Sequence, residues 1–387
     1  MNEINSEWLS KAYKKLKSSV YFDKTNLILR DEIVDFESSI ENHEDYFKEL
    51  AEKINVQKEF EKLKKEIINS INVLSFPKKL KKEDDNKSVL IMNSTSKNLE
   101  IKEVQYFIDM DVRGHILGVL WLMQIGYRID KQLYTHSYGN RIRKNLYNEF
   151  SKEPTYSPYL FQPYFEQYES WRDNAMEKAL EHLKKNQDVI VLTLDFKRYY
   201  YSVDMNSDAF DALYNEAFID DEEDKKDETY KKLNDFIFSV VDKYSSNFDT
   251  DRHILPIGFL PSNVLGNWYL NGFDKAISNG WNPAYFGRYV DDVLIVDKVE
   301  HTGFIYDKFQ NNSLTIDDIV NYHLVQCSKW NDLNSSFQCD KSKENGLFID
   351  KNNLQDNASE HKGYLVNKKY LVPKDNKSEI FLQKKIN

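Results

Sequence analysis

The sequence predicts an α+β fold, and three observations carry that prediction. The run "VIVLTLDF" at 189–196 is short, almost wholly apolar and rich in β-branched residues, which suits a strand buried on both faces. The stretch "FGRYVDDVLIV" at 286–296 reads as two short strands that fold back at a pair of acids. Segments with helical apolar spacing separate these strands, so the order is strand, helix, strand-turn-strand, helix, strand. That order describes an antiparallel sheet with helices packed on one face.

The elements follow in chain order. Residues 1 to about 75 are rich in Lys, Glu, Leu and Ile with little Gly or Pro, and Phe60, Leu63, Ile67 and Ile71 recur at helical intervals. This region is expected to be mostly helical. The polar segment 76–100 predicts a surface loop or hairpin. From 106 to 135 apolar density rises, with Ile116, Val119, Leu120 and Met123 on one face of a core helix. An aromatic stretch, "SPYLFQPYFEQYESWRD", leads into a helix over 174–186. The acid-rich 219–235 is expected as an exposed insertion or charged helix. Residues 261–280 predict a helix with Ser262 or Asn263 as N-cap and Asn279-Gly280 as its stop. Ile316, Ile319, Val320, Leu324, Cys327 and Trp330 mark a further helix, and "SSFQCDKSKENGLFID" a further hairpin.

Composition excludes several classes of function. With 387 residues the chain can bury a large core and form two or three domains. A formal charge of −10 argues against a protein that coats nucleic acid indiscriminately, since such binding comes from Lys and Arg neutralising phosphates. Any nucleic-acid contact must be local, as at "NRIRKN" (140–145). Cys327 and Cys339 have no CxxC spacing, so neither a disulfide framework nor a zinc site is indicated. No stretch approaches the roughly 18 apolar residues of a membrane span, and the first residues lack the apolar segment of a signal peptide. A cytoplasmic protein is expected.

The chemistry gathers at Asp291 and Asp292. Adjacent acids also occur at Asp84-Asp85, Asp220-Asp221 and Asp317-Asp318, where loop solvation, an acidic run and a helix N-terminus account for them. At 291–292 the acids interrupt apolar strands, and a hairpin turn there would more usually carry Gly or Asn. A buried carboxylate is costly unless a cation compensates it. An oxygen-only cluster suits Mg²⁺ or Mn²⁺. Asp195, at the end of its apolar strand, is the partner acid that antiparallel pairing could bring alongside.

These residues resemble the motifs of reverse transcriptases. "RYVDDVLIV" resembles their YxDD motif, and "LDFKRYYYSV" resembles their first catalytic motif. "LPIGFLPSNVLGNWYLNGFD" is similar to the motif between the two. "SYGNR" (137–141) resembles an element of the fingers in bacterial and group II intron reverse transcriptases, while "FQCDKSK" and "HKGYLV" occupy the places of the lysine-bearing and primer-grip motifs. "VYFDKTNLILRDEIVDFE" and "YESWRDNA" resemble the abortive-infection and defence-associated bacterial members.

The resemblance implies a right-hand polymerase: a helical region over 1–105, fingers over 106–188, a palm over 189–366, and the start of a short or truncated thumb over 367–387. It implies that Asp195 and Asp291 ligate Mg²⁺ or Mn²⁺, that Phe196 lends its backbone carbonyl, and that Asp292 is a weaker or indirect ligand. Tyr200 matches the aromatic that clashes with a 2′-hydroxyl and so selects deoxynucleotides. Gly258 permits close approach of backbone to nucleotide, Arg141 reaches the triphosphate, and Lys341 or Lys343 protonates pyrophosphate. The implied partners are dNTPs, an RNA template such as a dedicated non-coding RNA, the DNA product, and a second reverse transcriptase or other defence subunit. No membrane is implied. Ile257 departs from the family, which usually has a glutamine there that helps align nucleotide and template. Template-independent or protein-primed synthesis on the same palm, and a non-catalytic RNA-binding scaffold, therefore stay open.

Overall fold

A computed structural model of the chain describes residues 3–23, 26–80, 101–143, 158–196 and 198–315, with 318–319, 322 and short strands beyond. The fold is α+β. Four helices open it: α1 (Ser6–Phe22), α2 (Leu27–Ser38), α3 (His43–Asn55) and α4 (Gln57–Ser70). Asparagine starts three of them, because Asn5, Asn26 and Asn42 each accept a backbone N–H of the first turn. Their apolar faces, among them Leu9, Leu16, Phe47, Leu50, Phe60 and Ile67, join one continuous core.

Strands β1 (Asn72–Leu80) and β2 (Ile101–Asp109) then pair antiparallel. Of the surface loop or hairpin expected at 76–100, residues 76–80 belong to β1, and 81–100 lie outside the described residues. The core helix expected over 106–135 begins only at Val112: α5 (Val112–Trp121) continues through a π-helical turn (Leu122–Gly126) into α6 (Tyr127–Gln132). Residues 106–109 belong to β2, so the expected boundary at 105 cuts a strand. No Gly or Pro separates the apolar "VQYFID" from the helix behind it.

The aromatic stretch is itself helical. Helix α7 (Tyr164–Lys184) starts ten residues before the expected position, directly after Pro163. It is followed by β3 (Asp188–Asp195), a single turn α8 (Tyr199–Ser202), α9 (Ser207–Ala217) and α10 (Glu228–Ser245). The acid-rich segment is thus part 3-10 turn and part helix, with Asp221 and Asp224 paired to Arg128. Helix α11 (Pro261–Tyr269) starts on its proline without a side-chain cap; the expected cap Ser262 instead donates to the carbonyl of Pro256. A break at Leu270 separates α11 from α12 (Asn271–Ala276), and β4 (Tyr285–Tyr289), β5 (Asp292–Val299) and α13 (Phe304–Gln310) follow. Of the helix expected after 314, most lies outside the described residues. Strands β6 (Phe337–Gln338), β7 (Gly346–Ile349) and β8 (Tyr364–Asn367) form a separate three-stranded antiparallel sheet.

The central sheet has the order β4-β5-β3-β9, all antiparallel, with β9 at Ile380–Gln383. It is covered on both faces, which corrects the expectation of helices on one. Alternation explains why. Val189, Val191, Leu294 and Val296 meet Trp171, Ala175 and Ala179 of α7, while Ile190, Leu192, Leu194, Val293 and Ile295 join the main core. Among the described residues no helix is long and apolar enough to cross a membrane.

Candidate active site

The register of β3 against β5 runs unbroken from Asp188↔Val299 to Asp195↔Asp292. Direct cross-strand partners project on the same face with Cβ atoms roughly 4.5–5.5 Å apart. The two strands therefore deliver Asp195 and Asp292 side by side at the sheet's end. Asp291 sits in the two-residue turn between β4 and β5, and its carbonyl accepts the N–H of Phe196 at 3.2 Å. All three acids and Phe196 are thus gathered within one strand end and one turn. Asp195 is buried, whereas Asp291 and Asp292 are partly so.

The turn is strained and clamped. Val290 has φ of 57°, a left-handed conformation that a β-branched residue rarely adopts. Gly139 of the "SYGNR" element lies against it: a Cβ there would fall 2.5 Å from Val290 Cγ2 and 2.7 Å from its backbone nitrogen. The same element pairs with β4, since Tyr138 N–H donates to the carbonyl of Arg288 (2.7 Å) and Arg288 N–H to that of His136 (2.9 Å). Gly139→Ala should cost about 1–3 kcal/mol, because the hairpin cannot retreat from the added methyl; thermal unfolding would measure it.

Beneath the turn lies a polar cluster that sequence reasoning missed. Arg288 and Asp274 are both fully buried and form a bidentate pair, Nε to Oδ1 at 2.8 Å and Nη2 to Oδ2 at 2.6 Å. Arg288 Nη1 also donates to the carbonyl of Val290 (2.6 Å) and to Asn267 Oδ1 (3.0 Å), and Nη2 to Ser137 Oγ (3.0 Å). The available signal was an arginine and an aspartate inside otherwise apolar stretches, each needing a partner.

Tyr200 lies close enough to Asp291 for that charge to act on its phenol. Its hydroxyl donates to Asn263 Oδ1 at 3.1 Å, and the same oxygen accepts Asn140 Nδ2 at 3.0 Å. Burial raises the pKa of the Tyr200 phenol, and the nearby Asp291 charge raises it further. Ile257 is pinned by its backbone: its carbonyl accepts Ile108 N–H at 2.9 Å in a parallel bridge to β2. Gly258 has φ of 90°, a conformation that glycine supplies at little cost. Tyr200, Ile257 and Gly258 share a cavity of about 300 Å³ whose far wall is the α1–α2 elbow, with Asp23 and Asn26.

Arg141 is placed otherwise than expected. Its guanidinium is buried and directed inward, with Nε on Asp130 Oδ1 (2.9 Å), Nη1 on the carbonyls of Ser137 (2.7 Å) and Tyr134 (3.2 Å), and Nη2 on the Asp130 carbonyl (2.7 Å). In this arrangement it holds the "SYGNR" loop and does not present its charge to a triphosphate. Lys341 and Lys343 lie outside the described residues.

Among the described residues no group of three or more His, Cys, Asp or Glu converges as a ready-made metal cage. The donor set still fits one kind of ion. Mg²⁺ is commonly held by one or two carboxylates, completed by waters and substrate phosphates, and the adjacent Asp195 and Asp292 with Asp291 in the turn are hard oxygen donors of that type. The chain matches no protein-family model, and no curated protein matches it at a significant level.

Proposed function

We propose that the chain is a metal-dependent polymerase of the reverse-transcriptase type that joins deoxynucleotides by attack of a 3′-hydroxyl on an α-phosphate, and that it serves phage defence. The observation that carries this reading is the registered pair Asp195↔Asp292, with Asp291 bonded through its carbonyl to Phe196 and Tyr200 alongside. The motifs quoted from the sequence supply the reaction class, and their resemblance to defence-associated members supplies the biological role. Divalent cations held by the acids would activate the hydroxyl and steady the leaving pyrophosphate. The chain's own residues do the rest: Arg288 fixes the turn that carries Asp291, and Asn140 and Asn263 fix the Tyr200 ring beneath the sugar.

The test is incorporation of labelled dNTPs by purified protein with Mg²⁺ or Mn²⁺, with and without added RNA. Metal-dependent DNA product supports the reading; no product with any primer, template or metal overturns it. Tyr200→Ala should lower the preference for dNTPs over rNTPs at least about tenfold, equivalent to about 1.4 kcal/mol, as read by competing the two in one reaction.

A second reading, template-independent synthesis on the same site, is favoured by Ile257. Its apolar side chain cannot form the hydrogen bonds of the usual glutamine. Product that forms without added RNA, and whose sequence matches no copurifying nucleic acid, would select this reading.

A further inference from the structure

The cavity behind Tyr200 has a wall that none of the polymerase motifs supplies. Asn26, at the elbow between α1 and α2, is only 6% exposed. Its Oδ1 caps α2 by accepting the Leu29 N–H at 3.2 Å. Only the oxygen of the amide can do this, so the cap fixes which way the group points. Nδ2 then faces the loop at 257–258, where a Cβ built on Gly258 would lie 3.1 Å from it. Among the described residues Nδ2 has no hydrogen-bond acceptor, and Asn26 lines the cavity. A donor that faces a cavity without a protein acceptor can be satisfied by a ligand atom.

The lining specifies the ligand's chemistry. Among the described residues the lining offers no Lys or Arg to pair with a phosphate. Phe107, Leu29 and Ile257 offer apolar walls, and Asp23 also lines the cavity. An uncharged planar group with acceptors and N–H donors on its edge fits such walls, and Tyr200 and Asn263 connect the cavity to the acids.

We propose that this cavity is a nucleobase slot and that Asn26 is a specificity-determining residue, donating from Nδ2 to an acceptor on the edge of the incoming base. The inference rests on the polymerase reading above. The helical N-terminal region then takes part in choosing the nucleotide. The carboxamide acts as a donor only, because its oxygen is committed to the cap, so the slot favours bases with an acceptor at that position.

Asn26→Asp keeps the capping oxygen and replaces the cavity-facing donor with an acceptor, whereas Asn26→Ser keeps the cap and withdraws the group. KM for each of the four dNTPs would be measured for the wild type and both variants, with circular dichroism and thermal unfolding to confirm the fold. The expected result is an unequal set of KM values in the wild type. Their ratio should shift at least about tenfold in Asn26→Asp, as expected for one mismatched hydrogen bond, and flatten in Asn26→Ser. Folded variants with KM ratios within twofold of wild type would overturn the inference while leaving the polymerase reading intact. If the wild type neither incorporates any dNTP nor binds one by calorimetry in the presence of Mg²⁺, the polymerase reading falls and this inference falls with it.

Discussion

Asp195→Asn is expected to abolish nucleotide incorporation, by at least about 10³-fold, with the fold retained. Metal-held charge stabilisation is worth several kcal/mol of barrier, and about 4 kcal/mol corresponds to that factor. The substitution is isosteric and touches no ladder hydrogen bond between β3 and β5. Like charges directly opposite on paired strands repel, and Asp195 faces Asp292 in that way. Neutralising one acid relieves the repulsion. Loss of activity with an unchanged circular dichroism spectrum would mark the pair as a functional site. Activity within tenfold of wild type would remove Asp195 from the chemistry.

The second large effect is expected on stability. Asp274→Ala leaves the Arg288 guanidinium buried without its carboxylate, and breaking a buried pair by removing one partner costs about 3–5 kcal/mol. Chemical denaturation of the variant should show it as a lower midpoint. A double replacement, Asp274→Leu with Arg288→Met, should regain much of that loss, because the uncompensated charge is gone. It should not regain activity, since the Val290 carbonyl loses its 2.6 Å donor and the turn bearing Asp291 is freed from its clamp. A stable, active double variant would reduce the pair to a packing element.

Much of this was legible in the sequence, and the rest was not for identifiable reasons. The strand at 189–196 and the hairpin at 286–296 were readable because short apolar runs bounded by turn residues have few other solutions. Their pairing, which places Asp195 against Asp292, followed from the position of the acids at the strand ends. Helix α7 was partly missed because Tyr164, Phe165 and Tyr168 have weak helix propensity and follow a proline; packing of Tyr168 and Trp171 against Tyr289 accompanies the helix. The inward turn of Arg141 was illegible, because its partner Asp130 is defined by loop geometry and not by spacing. The Arg288 cluster was hidden for the same reason: its members come from four separated segments. The role of Asn26 as a helix cap has a local signature, but its approach to Gly258 does not.

The elbow between α1 and α2 bears on how the molecule can be dissected. Conventional trimming to the motif-bearing stretch would remove the wall formed by Asp23 and Asn26, and with β1 it would remove the neighbour of the strand that pins Ile257. Residues Leu9, Leu16, Phe47 and Phe60 would vanish from the shared interior, baring apolar surface on α5. The opening helices are therefore structurally inseparable from the centre they enclose, and a shortened version would be an aggregation-prone remnant with that cavity laid open.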